Sequence, residues 1–318
     1  MEEMKGIAIG SGFQFLDILA LNIRSEISMG LMSKSESEIE SDGCTALYAS
    51  SAAVLAQNWD WEEPQRDNLV VIHAFQDIGT SNDIDTGSRN DDDDDTISFS
   101  DSDEYEKIMS YNWTTVTEAG MVAKIGLNSF GVGVCLNAIR ARGVDFGRLP
   151  VHIALRLVLD CSSCEEAVSR LRQIGVAAAC HILVADDTGA AYGVECSFAD
   201  IKTLSVHDNR LTHTNHWLLG HSGPAGRIHE AVVLPDSKIR QERVNYLLQR
   251  GIGKDAVHDI EKILEDQDNY PTSINREASD KNPSETLCSI VMDLKQRMAR
   301  VRMGRPTEPV DSFVLSCL

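Results

Sequence analysis

What this chain lacks narrows its possibilities first. No run approaches eighteen apolar residues, so nothing in it reads as a transmembrane helix. The start, Met1-Glu2-Glu3-Met4-Lys5, has no basic region followed by an apolar one, so no secretory signal is expected. Bases are scarce. The 29 Lys and Arg stand against 49 Asp and Glu, and the net charge of −20 argues against a nucleic-acid partner. A second Cys-x-x-Cys is missing, so Cys161-Ser-Ser-Cys164 has no mate for a zinc site. Two readings remain for that motif: a redox dithiol, or a helix start with Ser162 or Ser163 as its cap before Glu165-Glu166. Eight cysteines in 318 residues without a signal read as reduced intracellular thiols, not a disulfide framework.

What is present supports a substantial core. Hydrophobic residues make up 42% of a chain long enough for one large domain or two smaller ones. The charge is unevenly spread: between Gln76 and Lys107 twelve acids stand against two bases, a net of −10. Residues 77–107 therefore read as a disordered, dispensable acidic loop, with too few apolar groups to offset the cost of ordering. Its five aspartates, Asp91–Asp95, lack the glycine and terminal glutamate of an EF-hand calcium loop.

The hydrophobic pattern changes period along the chain. Phe15, Leu16, Ile18, Leu19, Ile23, Ile27 and Leu31 recur as in a helix over 13–32, and polar residues 33–43 read as an exposed linker. Short strands are expected at 44–49, 52–58, 68–75, 113–119, 121–127 and 131–138. Helices follow over 149–159 and 164–174, then strands at 181–187, 190–196 and 200–206. Helices at 235–250 and 256–266 and strands at 286–293 and 299–303 complete the chain. That order predicts an α+β layered fold with helices covering sheets.

The chemistry centres on Asp42-Gly43-Cys44-Thr45. A thiol directly after glycine, at the start of a strand, suggests a bond the protein cuts itself. Sγ attacks the preceding carbonyl, an N-to-S shift gives a thioester, and water releases the upstream piece. Cys44 is left with an α-amine titrating at roughly 7.7–8, so one residue carries both nucleophile and base. Gly43 has no Cβ, which would admit a strained backbone exposing the scissile carbonyl. The bland alternative is a buried cysteine at a strand start.

Asp60, between Trp59 and Trp61, is placed to accept a hydrogen bond from the new α-ammonium, or to hold substrate; alone it would read as a turn aspartate. In His213-Thr214-Asn215-His216, Asn215 offers a neutral amide to an oxyanion, or is a turn residue. His213, His216 and His221 raise a zinc reading, but no acidic or cysteine ligand stands at the usual spacing, and no metal is expected.

Several motifs in order resemble one family. They are Asp42-Gly43-Cys44-Thr45, Ala56 through Trp61, Cys135-Leu136-Asn137 through Asp145, His213 through His216, and Arg302-Met303-Gly304-Arg305-Pro306-Thr307. Over nearly its whole length the chain resembles the fungal acyl-coenzyme A:6-aminopenicillanic-acid (isopenicillin N) acyltransferases. These are self-processing cysteine peptidases of the N-terminal-nucleophile hydrolase superfamily, and they act in penicillin biosynthesis, a branch of secondary metabolism.

The resemblance implies a four-layer αββα sandwich with segment 1–43 as a cleaved small subunit and 44–318 as the nucleophile-bearing domain. It places the nucleophile on Cys44, its carboxylate partner on Asp60 and the oxyanion donor on Asn215. A likeness to bile-salt and penicillin V hydrolases adds Asn137 as a second donor. The family's substrate-binding arginine has two candidates here, Arg276 and Arg240. The partners implied are a small-molecule acyl donor, an amine acceptor and the chain's own cleaved segment, with acyl-CoA as co-substrate and no bound cofactor.

Three features depart from the family: a short N-terminal piece, the unplaced arginine, and the C-terminal Ser316-Cys317-Leu318, where a peroxisomal signal carries a basic residue. The implied location is cytoplasmic or peroxisomal. Alternatives are an N-acyl amide hydrolase unrelated to penicillin and a non-enzymatic small-ligand-binding relative.

Overall fold

The computed structural model describes residues 1–28, 43–77, 110–230, 235–279 and 282–318. Most of the expected linker at 33–43 and of the acidic loop at 77–107 lies outside the described residues.

Strand β1 (Gly43–Ala49) is central to the fold. Every residue in it is buried, because both faces of its sheet are covered. Cys44, Ala46 and Tyr48 point into the core between two sheets. Leu47 and Ala49 point the other way, into a layer of helices. This alternation is the period of two that a strand imposes.

The first sheet has six strands. β1 lies between β2 (Val54–Glu62) and β10 (Arg210–His213), and β13 (Ser284–Asp293), β14 (Met298–Met303) and β15 (Asp311–Ser316) continue beyond β2. The second sheet has seven strands in sequence order: β3 (Leu69–Asp77), β4 (Ser110–Glu118), β5 (Ile125–Asn128), β6 (Gly133–Ala138), β7 (Cys180–Ala185), β8 (Ala191–Cys196) and β9 (Ile201–Ser205). The pairings between these strands are antiparallel. A small hairpin, β11 (His221–Gly223) with β12 (Gly226–Ile228), stands apart.

Helices α4 (Val151–Val158) and α5 (Cys164–Ile174) cover the seven-stranded sheet through Ala154, Leu155, Ala167 and Leu171. Helices α6 (Pro235–Gln249) and α7 (Ala256–Leu264) cover the six-stranded sheet through Val244, Leu248, Ile260 and Leu264. The result is the expected αββα sandwich. Gln57 fastens the two sheets at mid-depth: its amide donates to Leu136 O and accepts from Leu136 N at 3.1 Å.

The N-terminal region differs from the expected single helix over 13–32. It forms α1 (Glu2–Ser11), α2 (Phe15–Asn22) and the short α3 (Arg24–Glu26). Gly12, at φ 76°, ends the first, and Ile23, at φ −115°, interrupts the second. Met4, Ala8 and Ile18 pack on Val122 and Ile153 of the main body. Asn22 accepts from Val122 N and donates to Gly120 O, both at 2.9 Å. Glu26 accepts from Val151 N at 2.9 Å, capping α4, which has no cap of its own.

Four strands were not expected: β10, β15 and the two of the β11–β12 hairpin. The serine cap of α5 is Ser163, which accepts from Glu166 N at 3.1 Å. Burial pushes the Cys161 thiol up to about 11 and Cys164 higher still, away from the thiolate a redox pair needs.

Candidate active site

The register of β1 sets the geometry. Gly43 stands opposite Asp60, and Cys44 opposite Trp59. By strand alternation the Cys44 side chain and Trp59 share the inter-sheet face, while Gly43 and Asp60 share the face toward α6. On that outer face Asp60 is opposite Thr286, next to a bulge in β13 between Thr286 and Cys288. Such bulges re-aim side chains, and here the Thr286 hydroxyl donates to Asp60 Oδ1 at 2.7 Å.

Four buried charges gather behind Gly43. Arg276 Nε lies 3.4 Å from Asp60 Oδ2, and Arg276 Nη2 is in close contact with Asp236 Oδ2. Arg240 meets Asp236 at 3.3 Å. Two acids and two arginines balance. Burial raises Asp60 above the ordinary aspartate range, and Arg276, Arg240 and Thr286 pull it back only in part. Burial raises Asp236 too, but its arginines overcome that and hold it below the ordinary range.

Glycine is required at 43 for space, not for an unusual backbone. Its φ is not among the positive values, contrary to the strained conformation expected. A Cβ there would meet Arg276 Nη2 at 2.9 Å and Asp60 Oδ2 at 3.0 Å. Gly43→Ala should therefore destabilise the chain by about 1–3 kcal/mol through overpacking. Tm checks this; a wild-type value would show that the contact yields.

The Cys44 backbone is held on both sides. Its N–H donates to Asn215 Oδ1 at 2.8 Å. Its carbonyl accepts from Arg240 Nη1 at 2.7 Å and from Asn137 Nδ2 at 3.2 Å. Arg240 Nη2 also donates to Asn215 Oδ1 at 2.9 Å. Two donors converge on that oxygen, which fixes the amide's orientation. Asn215 Nδ2 donates to Ala138 O at 3.0 Å. Asn215 thus turns its acceptor to Cys44 and spends its donor elsewhere, and in this state it serves the nitrogen, not an oxyanion. Asp60, expected beside the α-ammonium of a cut chain, lies beside Gly43 in this uncut one.

Asn137 reaches the site from the other sheet. His181 Nδ1 contacts its Oδ1 at 2.9 Å, which leaves Nδ2 facing Cys44 O. His181 stacks on His213 at 3.5 Å between ring centroids. His213 and His221 both reach Glu195, at 2.8 and 3.3 Å, while His216 turns to Ser237 at 2.7 Å. Burial raises Glu195, but bonds from His213 and His221 bring it down to about 2. Two of the three histidines of the zinc reading, His213 and His221, thus anchor a carboxylate.

Cys44, Trp59, Asp60, Trp61, Lys124 and Arg24 line a cavity of about 240 Å³. Sequence reasoning missed Asp236, Thr286, Lys124 and Arg24. Asp236 reads as an ordinary first-turn acid of α6, and Lys124 as a lone base in an apolar run.

The family model described as acyl-coenzyme A:6-aminopenicillanic acid acyl-transferase matches residues 48–308. The 40 kDa form of acyl-coenzyme A:6-aminopenicillanic-acid-acyltransferase from Emericella nidulans is 34% identical over 320 residues. That match spans 99% of this chain and 78% of the relative. Two solved structures of conjugated bile acid hydrolase from Clostridium perfringens share the fold. One is a cysteine-to-alanine mutant, 13% identical at a TM-score of 0.53, covering 87% of this chain and 92% of that one. The other is an arginine-to-leucine variant, 12% identical at 0.50, covering 86% and 92%. The sandwich is thus that of the N-terminal-nucleophile hydrolases. With one family model over most of its length and a relative this similar, the chain belongs to the acyl-coenzyme A:6-aminopenicillanic acid acyl-transferase family of enzymes.

Proposed function

We propose that the chain cuts itself between Gly43 and Cys44, and that the new terminal Cys44 then carries acyl groups as a thioester from an amide or acyl-CoA to an amine. The supporting observation is the double hold on Cys44, with Asn215 on its nitrogen and Arg240 and Asn137 on its carbonyl. In processing, Sγ adds to the Gly43 carbonyl, the C–N bond breaks, and the nitrogen leaves as the Cys44 amine. Water then hydrolyses the thioester and frees the Gly43 carboxylate.

In turnover the Cys44 amine takes the thiol proton, and the thiolate adds to the donor carbonyl. The proton passes to the leaving group, and the acceptor amine attacks the thioester. The Asn215 oxygen keeps the amine oriented, while Asp60 and its arginines fix the strand end. Oxyanion donation by Asn215 requires Nδ2 to leave Ala138 O; Asn137 Nδ2 already points toward Cys44. The relative's name supports a 6-aminopenicillanic-acid-like acceptor. With water as acceptor, the same thioester gives amide hydrolysis. The upstream piece would stay bound as a small subunit through Met4, Ile18, Asn22 and Glu26.

Intact-mass spectrometry of purified protein tests the cut: two copurifying pieces of 43 and 275 residues are expected. Brief incubation with a hexanoyl thioester should add one acyl mass to the peptide that begins at Cys44, removable by hydroxylamine. Acylation at another cysteine, or an uncut chain that turns substrate over, would refute the reading.

A further inference from the structure

One wall of the Cys44 cavity carries a charge cluster that the reaction as described does not use. Lys124 is 3% exposed, and its Nζ sits 3.4 Å from the Trp59 ring centroid. It pairs with Glu118 at 3.4 Å. Arg24, from the N-terminal segment, contacts the same Glu118 and lies over Trp61 at 4.7 Å from the ring centroid. Two cations therefore share one acid. Beside them is His152, 1% exposed, with both ring nitrogens lacking a hydrogen-bond partner among the described residues. Arg24, Lys124 and His152 all line the cavity together with Cys44.

We infer that Lys124, His152 and Arg24 form a subsite for a carboxylate carried by the substrate. The inference rests on the acyl-transfer reading above and names a substrate feature for the same site. A buried cation in excess of its counter-charge is costly, and a buried donor without an acceptor is costly too. One carboxylate would relieve both: it balances the net positive charge left by Glu118 and accepts from the imidazole N–H. A phosphate dianion would overshoot that balance.

The charge states agree with this. Burial raises Glu118, but Lys124 and Arg24 more than reverse that and hold it at about 2. Burial lowers Lys124, with Glu118 opposing, to about 8, so most of it stays charged at pH 7. Burial and the two cations keep His152 neutral, with one N–H to donate. Trp59 and Trp61 give the cations apolar faces to rest on, so their ends remain available to a ligand.

The carboxylate can belong to the acyl donor or to the amine, and three chromogenic amides separate the cases. They are hexanoyl-p-nitroanilide, glutaryl-p-nitroanilide, and the hexanoyl amide of 5-amino-2-nitrobenzoic acid. Wild-type protein should favour one acid over the neutral compound by about 10–100-fold in kcat/KM, the scale of one charge-assisted hydrogen bond. The arm that shows the preference identifies the side. In Lys124→Met the acid-to-neutral ratio should fall toward one, since Arg24 still balances Glu118. His152→Phe should lower the ratio while keeping the charge, and it serves if Lys124→Met does not fold.

No preference in wild type overturns the subsite, as does an equal loss on acid and neutral amides in Lys124→Met, which would assign Lys124 to the Cys44 thiol. Calorimetric titration with the same amides keeps the two readings apart. Tighter binding of an acid without turnover upholds the subsite and removes acyl transfer; turnover without preference does the reverse.

Discussion

Cys44→Ala should remain a single 35.0 kDa chain and lose turnover by roughly 10⁶-fold. Both losses have one origin. Alanine has no sulfur to add to the Gly43 carbonyl, so the N-to-S shift cannot begin, and no thioester forms with substrate. The fold should survive, because Cys44 ends a strand whose hold comes from backbone contacts to Asn215, Arg240 and Asn137. Intact mass, Tm and amide turnover measured on one preparation check this. An alanine variant cut at the same bond would show that another group performs the cleavage, and the assignment of Cys44 would fall.

The second large effect concerns stability. Arg276→Met should cost about 3–5 kcal/mol, the usual result of removing one partner from a buried charge group. At this chain length that corresponds to a Tm lower by roughly 4–8 °C. Arg276 is 1% exposed at its side chain and touches both Asp60 and Asp236. Without it the two acids face Arg240 alone. Asp60, already raised by burial, would rise further. Asp236→Asn added to Arg276→Met restores the balance and should recover part of the loss, a coupling a double-mutant cycle reads directly. A Tm within 1 °C of wild type for the single variant would mean that the charges are solvated, against the burial described.

The linkage has a sign. Asp236 is held below its unfolded value, so its contribution is present above that value and lost as pH falls through the folded one. Asp60 is raised, so it opposes folding increasingly as pH rises through its folded value.

Much of the sandwich was legible in the sequence, because β1, β3 and the paired helices carry clear periods. Helix α5 matches its expected span. The short strand β10 was not legible. Arg210-Leu211-Thr212-His213 is too brief and too polar to show alternation, yet its pairing with β1 brings Asn215 to Cys44. The arginines were nameable but not placeable. A guanidinium in a helix or loop reads as surface charge, and Arg240 and Arg276 are both fully buried. Their burial depends on Asp236 and Asp60, which lie 40 and 216 residues from Arg276 along the chain and are neighbours only after the sheet forms. The close packing at Gly43 was invisible for the same reason.

The carboxylate of Glu26 completes helix α4, which contains His152. If the chain is cut, that cap passes from one polypeptide to another. Helix order, subunit association and the cavity wall then become parts of a single equilibrium. Whatever the wall binds must tighten the grip between the two pieces by the same factor by which their association tightens the wall. A substrate of this enzyme would then act as glue for its subunits, and diluting the enzyme without substrate would loosen both.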